Sequence, residues 1–386
     1  MRLADFSADS PGTLVPTVNG LQAFVPDVLP PEIDVADLVP DLQAATLALG
    51  ELKGAISPLA NPELVIRPMH LREAVSSSNM EGTFTTFTDL LVFDAGGPSD
   101  PQQDTVEVHN YVKALRHADK LMQELPVCGR LMTELHKILL SNVTKKARGA
   151  AVEPGFLKKH QNFIGGTPRS PRFVPPPPAE AAKALSELET FINRPDRKGL
   201  ELIDASLIHY QFETIHPFPD GNGRVGRILI PVYLQATGII DGPYLYMSEY
   251  FERHKDEYID LMYGVSSSNG WISWIKFFLN GVEESSRSAI ATTKQLINCS
   301  EFFRQQIMAG RGRSAVLVQI MDLLLSNPVL SVAQIAHRIG QSDQTVRNNL
   351  SWLIENGLVR ELNHHRPKLY ISPLVLDIIS GHQERV

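Results

Sequence analysis

Apolar positions recur with a helical period over most of the chain, from about Arg67 to Ile307. Val106–Leu125 places Val108, Tyr111, Val112, Leu115, Ala118 and Leu121 on one face, a repeat of about 3.6 residues. Leu131–Leu140, Ala179–Ile192, Leu202–Thr214 and Trp271–Ile297 read the same way. The pattern predicts an all-α fold. Two stretches break it. Residues 1–60 are punctuated by Pro11, Pro16, Pro26, Pro30, Pro31 and Pro40. Proline lacks the amide donor a helix needs, so this segment predicts an extended arm docked on the body, then a helix near Val39–Gly54. Pro154–Pro178 holds seven prolines, five of them in Pro171–Pro178. Its middle, QNFIGGTPRSPRFVP, predicts a short strand pair or an extended flap, since a connection this long without helix is usually a functional loop.

Beyond Gly310-Arg311-Gly312, read as a hinge, the pattern changes. Ala315–Leu325 is one helix. Ser331 caps a second, with Val332, Ile335, Ala336 and Ile339 on one face and Gly340 as its stop. Ser342 caps a third, with Val346, Leu350, Leu353 and Ile354 inward and Gly357 closing it. Two short strands follow, Leu358–Leu362 and Lys368–Ile371, around a turn at Asn363–Pro367. Helix, helix-turn-helix and hairpin in this order predict a winged-helix domain. The expected organisation is an arm and helix at 1–65, a helical domain at 66–310 and a winged helix at 311–386.

Composition narrows the function. At about 100–200 residues per domain, 386 residues suit two or three domains. A hydrophobic share of 43% and a charged share of 20% exclude wholesale disorder. Two cysteines, Cys128 and Cys299, make no disulfide framework, and no CxxC or HExxH suggests zinc. A net charge of −7 excludes a polycation built to coat nucleic acid. MRLADFSADSPG carries acids and no apolar core, unlike a secretory signal. The longest apolar run, Ile228–Ile240, is broken by Pro231 and Gln235, too short for a membrane span. These readings predict a cytoplasmic protein with no membrane partner.

The chemistry concentrates in Tyr210–Arg227, YQFETIHPFPDGNGRVGR. An apolar helix ends at His216-Pro217, and Pro219–Gly223 form a tight turn. Its glycines allow positive φ and let backbone amides converge. A second helix runs from Arg224 to about Ala236, with Gly238 as its stop. Its free N-terminal amides and dipole make an anion site. Arg224 and Arg227, three apart, leave one face of the first turn, and two guanidiniums beside an amide nest suit a polyphosphate. Asp220 at the mouth of the nest would repel phosphates unless a cation lay between, which makes it a Mg²⁺ ligand. His216 is the group there able to take a proton near neutral pH. The set fits attack of a hydroxyl on a nucleotide phosphate. It does not fit a nucleophilic enzyme, because no Ser or Cys is partnered with this histidine inside the motif.

HPFPDGNGRVGR also matches the Fic signature, H-x-F-x-(D/E)-G-N-G-R-x-x-R, at every fixed position. The resemblance extends over about Arg67–Ile297, including NYVKAL, PGF, QNFIGG and LYMSEYFERHKDEY. Fic proteins are all-helical, and most move AMP from ATP–Mg²⁺ onto a Tyr, Thr or Ser hydroxyl of a target protein. The resemblance implies His216 as general base and Asp220 as Mg²⁺ ligand. It implies Gly221, Asn222 and Gly223 around the α-phosphate, with Arg224 and Arg227 on the phosphates; Val225 and Gly226 complete the nucleotide-holding run. Phe218 would anchor the loop. Asn162, Phe163, Ile164 and Gly165 resemble the family's target-docking hairpin, where backbone pairing holds the acceptor segment extended. Tyr258 resembles an adenine-side residue.

A second motif, Ser77-Ser78-Asn79-Met80-Glu81-Gly82, resembles the family's inhibitory helix, (S/T)-x-x-x-E-(G/N). The resemblance implies that Glu81 pairs with Arg227 in place of the γ-phosphate, so ATP binds with its α-phosphate misaligned for in-line attack. The same carboxylate could position water to remove AMP from a modified target. The resemblance thus implies an autoinhibited adenylyltransferase that modifies targets and itself. The rivals are a transferase of another phosphate group, such as UMP or phosphocholine, and a DNA-binding regulator with a nucleotide-sensing core.

In the winged helix, Gln341, Ser342, Gln344, Thr345, Arg347, Asn348 and Asn349 lie to one side of the third helix, and the hairpin adds Arg360, His364, His365, Arg366 and Lys368. These types contact bases and phosphates. Residues 311–386 carry eight Lys+Arg and six Asp+Glu, a net +2, short of a strongly basic footprint. DNA binding stands beside homodimer contacts or target docking as the role of this domain.

Overall fold

The computed structural model describes residues 1–59, 61–97, 102–143, 153–167, 169–196, 199–311, 314–362 and 367–381. His364, His365, Arg366 and Gly312 lie outside the described residues. In chain order the elements are β1 (Gly12–Pro16), β2 (Gln22–Pro26), α1 (Val39–Ile56), α2 (Glu63–Met80), α3 (Phe87–Asp94), α4 (Gln103–Glu124), α5 (Gly129–Leu139), β3 (Ile164–Thr167) and β4 (Ser170–Phe173). There follow α6 (Pro178–Ile192), α7 (Glu201–Ile215), α8 (Asn222–Ala236), α9 (Ser248–Arg253), α10 (Lys255–Ser268), α11 (Trp271–Arg311) and α12 (Ala315–Ser326). The chain closes with β5 (Val329–Ser331), α13 (Val332–Ile339), α14 (Asp343–Glu355), β6 (Arg360–Leu362), β7 (Leu369–Ile371) and α15 (Pro373–Ser380). Two compact units result, one of Met1–Gly50 with Asn110–Ser286 and one of Glu51–His109 with Arg287–Val386.

The first unit is built around α7 and α8. Every residue from Leu202 to Ile215 is buried, as is every residue from Asn222 to Leu234. A helix buried on all sides has no water-facing stripe, so this pair forms the centre on which α5, α6 and β2 pack. Gly226 permits the close approach of the two helices: a Cβ there would fall 2.2 Å from Glu213 Oε1 and 3.1 Å from Phe212 Cδ1.

The N-terminal segment is more ordered than the expected extended arm. β1 and β2 form an antiparallel hairpin, Gly12 opposite Pro26 and Pro16 opposite Gln22. Prolines stand at the strand ends, where a missing amide costs least. The segment is tied to its unit by Ser7 N–H to Ser267 O (2.9 Å) and Phe24 N–H to Val174 O (2.9 Å). The Phe24 ring lies 5.9 Å from that of Phe173 on β4.

In the second unit, α12, α13 and α14 accompany a three-stranded antiparallel sheet in the order β5-β7-β6, with β5 between α12 and α13 in the chain. Val329 faces Ile371, and Leu362 faces Leu369. Leu317, Ile320, Leu324, Ile335, Val346, Leu350 and Leu353 fill its core. Ser331 caps α13 through a capping box with Gln334, and Gly340 ends that helix at φ 66°. β5 and α15 are not among the elements expected from the sequence. Gly310 sits inside α11 rather than in a hinge. A Cβ there would lie 2.5 Å from Trp352 Cζ2, so the glycine makes room for an indole. Among the described residues no helix is long and apolar enough to cross a membrane.

Candidate active site

The site is the loop joining α7 to α8. His216 is the C-cap of α7, in the left-handed conformation at φ 48°, ψ 58°. A non-glycine residue there costs about 1–2 kcal/mol, so its surroundings must hold it. His216 Nδ1–H donates to Glu213 O at 3.2 Å, the tautomer that leaves the lone pair on Nε2. Gly221, at φ 76°, is the N-cap of α8. The first helical bond runs from Val225 N–H to Gly221 O at 3.1 Å. The amides of Asn222, Gly223 and Arg224 therefore have no acceptor within the helix and converge at its positive end.

The helix begins at Asn222, two residues before the expected Arg224, because Asn222 is already helical while its side chain closes the loop. Asn222 Oδ1 accepts from Phe218 N–H (2.8 Å) and Asn222 Nδ2 donates to Phe218 O (2.8 Å). Phe218 itself is fully buried, the anchor expected of it. Asp220 is half-buried, and its Oδ1 accepts from Gly221 N–H at 2.6 Å. Arg224 Nη2 lies 4.0 Å from Asp220 Oδ1. Arg224 is 0% exposed and Arg227 3%. Neither is a solvated surface arginine. Two guanidiniums taken out of water on the first turn of one helix make a strong fixed positive field.

Three residues under this loop were not legible as site residues. His136 on α5 stacks on Phe218, ring centroids 4.0 Å apart at 7°. Its Nε2–H donates to Asp220 O (3.0 Å), and its Nδ1 accepts from Gly155 N–H (2.9 Å). Burial pushes its pKa down to about 4, so the ring is neutral at physiological pH. Lys158, 4% exposed, donates its main-chain N–H to Pro217 O (2.8 Å) and its Nζ to Ile215 O (3.2 Å) and Asn162 Oδ1 (2.8 Å). Burial pushes this amine down to about 7. Glu213, one turn before His216, fills the space beside Gly226. The one sequence-level signal was a polar His136 among the buried Met132, Leu135 and Leu139 of α5; Lys158 has none, since lysines are mostly exposed.

The flap residues divide. Asn162 Nδ2 donates to His216 O (3.1 Å) and Phe218 O (3.0 Å), so its side chain serves the loop. Phe163 and Ile164 are half-buried, and Gly165 is exposed. β3 and β4 pair antiparallel, Ile164 opposite Phe173 and Thr167 opposite Ser170. Tyr258 is 7% exposed, its hydroxyl donating to His209 Nε2 at 3.0 Å. His209 Nδ1–H in turn donates to Gly226 O at 3.2 Å. Burial lowers the His209 pKa to about 3, and its ring stacks against Phe251 at 5.4 Å and Trp274 at 6.1 Å. The Tyr258 hydroxyl is thus spent in the core behind α8. Ser77 and Glu81 belong to the second unit. Ser77 is fully buried. Glu81 is the half-buried C-cap of α2, its N–H bonded to Ser78 O at 3.0 Å.

Comparison with known proteins places residues 39–120 in the Fic/DOC family N-terminal domain and residues 126–234 in the Fic/DOC family domain. Residues 314–360 match a winged helix-turn-helix DNA-binding domain. A protein adenylyltransferase Fic of Drosophila virilis is 27% identical over 215 residues, covering 53% of this chain and 41% of that protein. The protein adenylyltransferase Fic of Drosophila willistoni is 30% identical over 215 residues, 53% of this chain and 40% of that one. The chain thus spans about two fifths of the length of these curated relatives. The crystal structure of a Fic family protein from Desulfovibrio desulfuricans superposes with a TM-score of 0.58 at 18% identity, over 89% of this chain and 98% of that one, a likeness of fold.

Proposed function

Because the chain belongs to the Fic/DOC family and ends in a winged helix-turn-helix domain, we propose that it is a protein adenylyltransferase. It would transfer AMP from ATP–Mg²⁺ to a Tyr, Thr or Ser hydroxyl of a target protein, and to itself. The observation that carries this reading is the α8 N-terminus, where first-turn amides that have no acceptor within the helix and the buried Arg224 and Arg227 stand one short loop from His216. In this reading residues 66–310 form the catalytic domain with its inhibitory segment, and 311–386 an appended module.

His216 Nε2 takes the proton of the acceptor hydroxyl. The hydroxyl oxygen forms a bond to the α-phosphorus, the bond from that phosphorus to the bridging oxygen breaks, and pyrophosphate leaves. The amides of residues 222–224 and the two guanidiniums hold the phosphates in line and meet the charge that develops. One carboxylate with phosphate oxygens and water is a usual donor set for Mg²⁺, and Asp220, beside the nest, fits it. The metal would neutralise phosphate charge. Backbone along Ile164 and Gly165 pairs with the acceptor segment. Glu81 acts as the brake, and with AMP already on a target it can position water for the reverse reaction. The setting proposed is the cytoplasm, where Cys128 and Cys299 stay reduced.

Intact-protein mass spectrometry of Glu81→Gly with ATP–Mg²⁺ tests this. A gain of one AMP per site is expected, above the wild type, and His216→Ala should abolish it. Equal labelling of wild type and Glu81→Gly removes the brake; labelling of His216→Ala removes the base.

The winged helix favours a second partner. Gln344, Arg347 and Asn348 are exposed on α14, the element such domains place in the major groove. Duplex retention by the full chain in 50–100 mM salt, lost in Arg347→Glu, is the expected result; no retention assigns the domain to protein contacts, including a second copy of the chain.

A further inference from the structure

Four successive carbonyls, those of Ile215, His216, Pro217 and Phe218, all accept hydrogen bonds from two residues at the foot of the β3–β4 hairpin. Lys158 supplies Ile215 O through Nζ and Pro217 O through its main-chain amide. Asn162 supplies His216 O and Phe218 O through Nδ2. The two side chains also hold each other, Lys158 Nζ to Asn162 Oδ1 at 2.8 Å. The main-chain ladder of α7 ends here, Phe218 O accepts in addition from Asn222 Nδ2 at the start of α8, and His216 sits in a strained left-handed conformation. Lys158 and Asn162 thus add a support from outside the loop to its own local bonds.

We propose that Lys158 and Asn162 are positioning residues for His216, fixing the main chain on both sides of it from the segment that carries the hairpin. The inference rests on the transferase reading above. In that reading an acceptor paired along the hairpin and the base that deprotonates it are both referred to one short run of chain, residues 158–164. The register of the acceptor hydroxyl against Nε2 then follows from covalent continuity rather than from packing of distant elements. A buried ammonium here costs desolvation, offset by two carbonyl-type acceptors, and the amide of Asn162 has its oxygen and its nitrogen both engaged.

The test uses the full chain carrying Glu81→Gly, with self-labelling by ATP–Mg²⁺ as the probe. Asn162→Ala and Lys158→Met should each lower kcat about 10–100-fold, since a displacement of about 1 Å is enough for that. KM for ATP should stay within about 3-fold, because the nest and arginines are not touched. Lys158→Arg should recover to within about 5-fold, its fork offering two N–H donors to the same two acceptors. Hydrogen exchange gives the readout independent of activity: the amides of Phe218 and Lys158 should exchange about 10-fold faster in Asn162→Ala and Lys158→Met. Parental labelling rates in both variants overturn the inference, as does a KM for ATP that rises in step with the loss of kcat. If the parent takes no label, the transferase reading has failed, and unchanged exchange at Phe218 and Lys158 then overturns the clamp as well.

Discussion

Asn222 offers the sharpest test of how the loop is held. Its carboxamide is 1% exposed and engages both main-chain groups of the fully buried Phe218, at 2.8 Å each. Asn222→Ala leaves Phe218 O with the Asn162 donor, but it strands Phe218 N–H in the core. A stranded buried donor costs about 1–3 kcal/mol. The space left by the missing amide adds about 1 kcal/mol. The sum is about 3 kcal/mol. At about 2–4 °C per kcal/mol for a unit of this size, the melting temperature should fall by roughly 6–12 °C. Asn222→Asp keeps the acceptor but turns an oxygen toward Phe218 O, so it should lose nearly as much. Far-ultraviolet circular dichroism reads the melts, and titration with ATP should show affinity weakened about tenfold in both, as the amide nest loses its fixed edge. An Asn222→Ala protein that melts within about 1 °C of wild type would show that the carboxamide does not hold the turn, and the reasoning would fall.

Gly226→Ala sets two effects against each other: a helix-propensity gain of about 1 kcal/mol and an overpacking cost of about 1–3 kcal/mol. With the new Cβ 2.2 Å from Glu213 Oε1 and 3.1 Å from Phe212 Cδ1, the net destabilisation should be about 0–2 kcal/mol, and a raised melting temperature would refute this. Acid should weaken the native state through His136. Its folded pKa of about 4 lies below the usual 6.5, so the unfolded chain binds the extra proton between those values. Stability is full above about pH 6.5 and is lost as pH falls toward 4, about 2 kcal/mol of it by pH 5. Urea unfolding at pH 7.5 and 5 should show this drop, reduced by about 2 kcal/mol in His136→Phe, which keeps the stack on Phe218 but has no proton to gain; an equal drop in both proteins would exclude His136 as the cause. Ser331→Ala, which removes the capping box of α13, should cost about 1 kcal/mol in the second unit and leave ATP binding unchanged, as read by melts and titration.

Much of the fold was legible because the signals are local. Apolar spacing on α5, α6, α7 and α8 is a property of short runs of sequence, and so are the caps Ser331, Gly340 and Ser342 that bound α13 and open α14. The grouping of His216, Asp220, Asn222, Arg224 and Arg227 was legible for the same reason, since these residues lie within twelve positions and one helix end. What no local pattern could supply was the support beneath them. Whether Arg224 and Arg227 face water or the interior depends on α7 lying against α8, and Gly226 looks like any helical glycine until Glu213 is beside it. His136, Lys158 and Asn162 come from positions 54 residues or more from the loop atoms they hold, as the bonds to Phe218, Ile215, His216 and Asp220 record. Hairpin β1–β2 was hidden by its prolines, which weigh against regular structure residue by residue although strand ends tolerate them. The amino-acid order alone therefore determined which groups are available and where helices start and stop. Tertiary contact alone decided which polar groups lose water, and with it the neutral state of His136, the burial of both arginines and the partners of each carbonyl around His216.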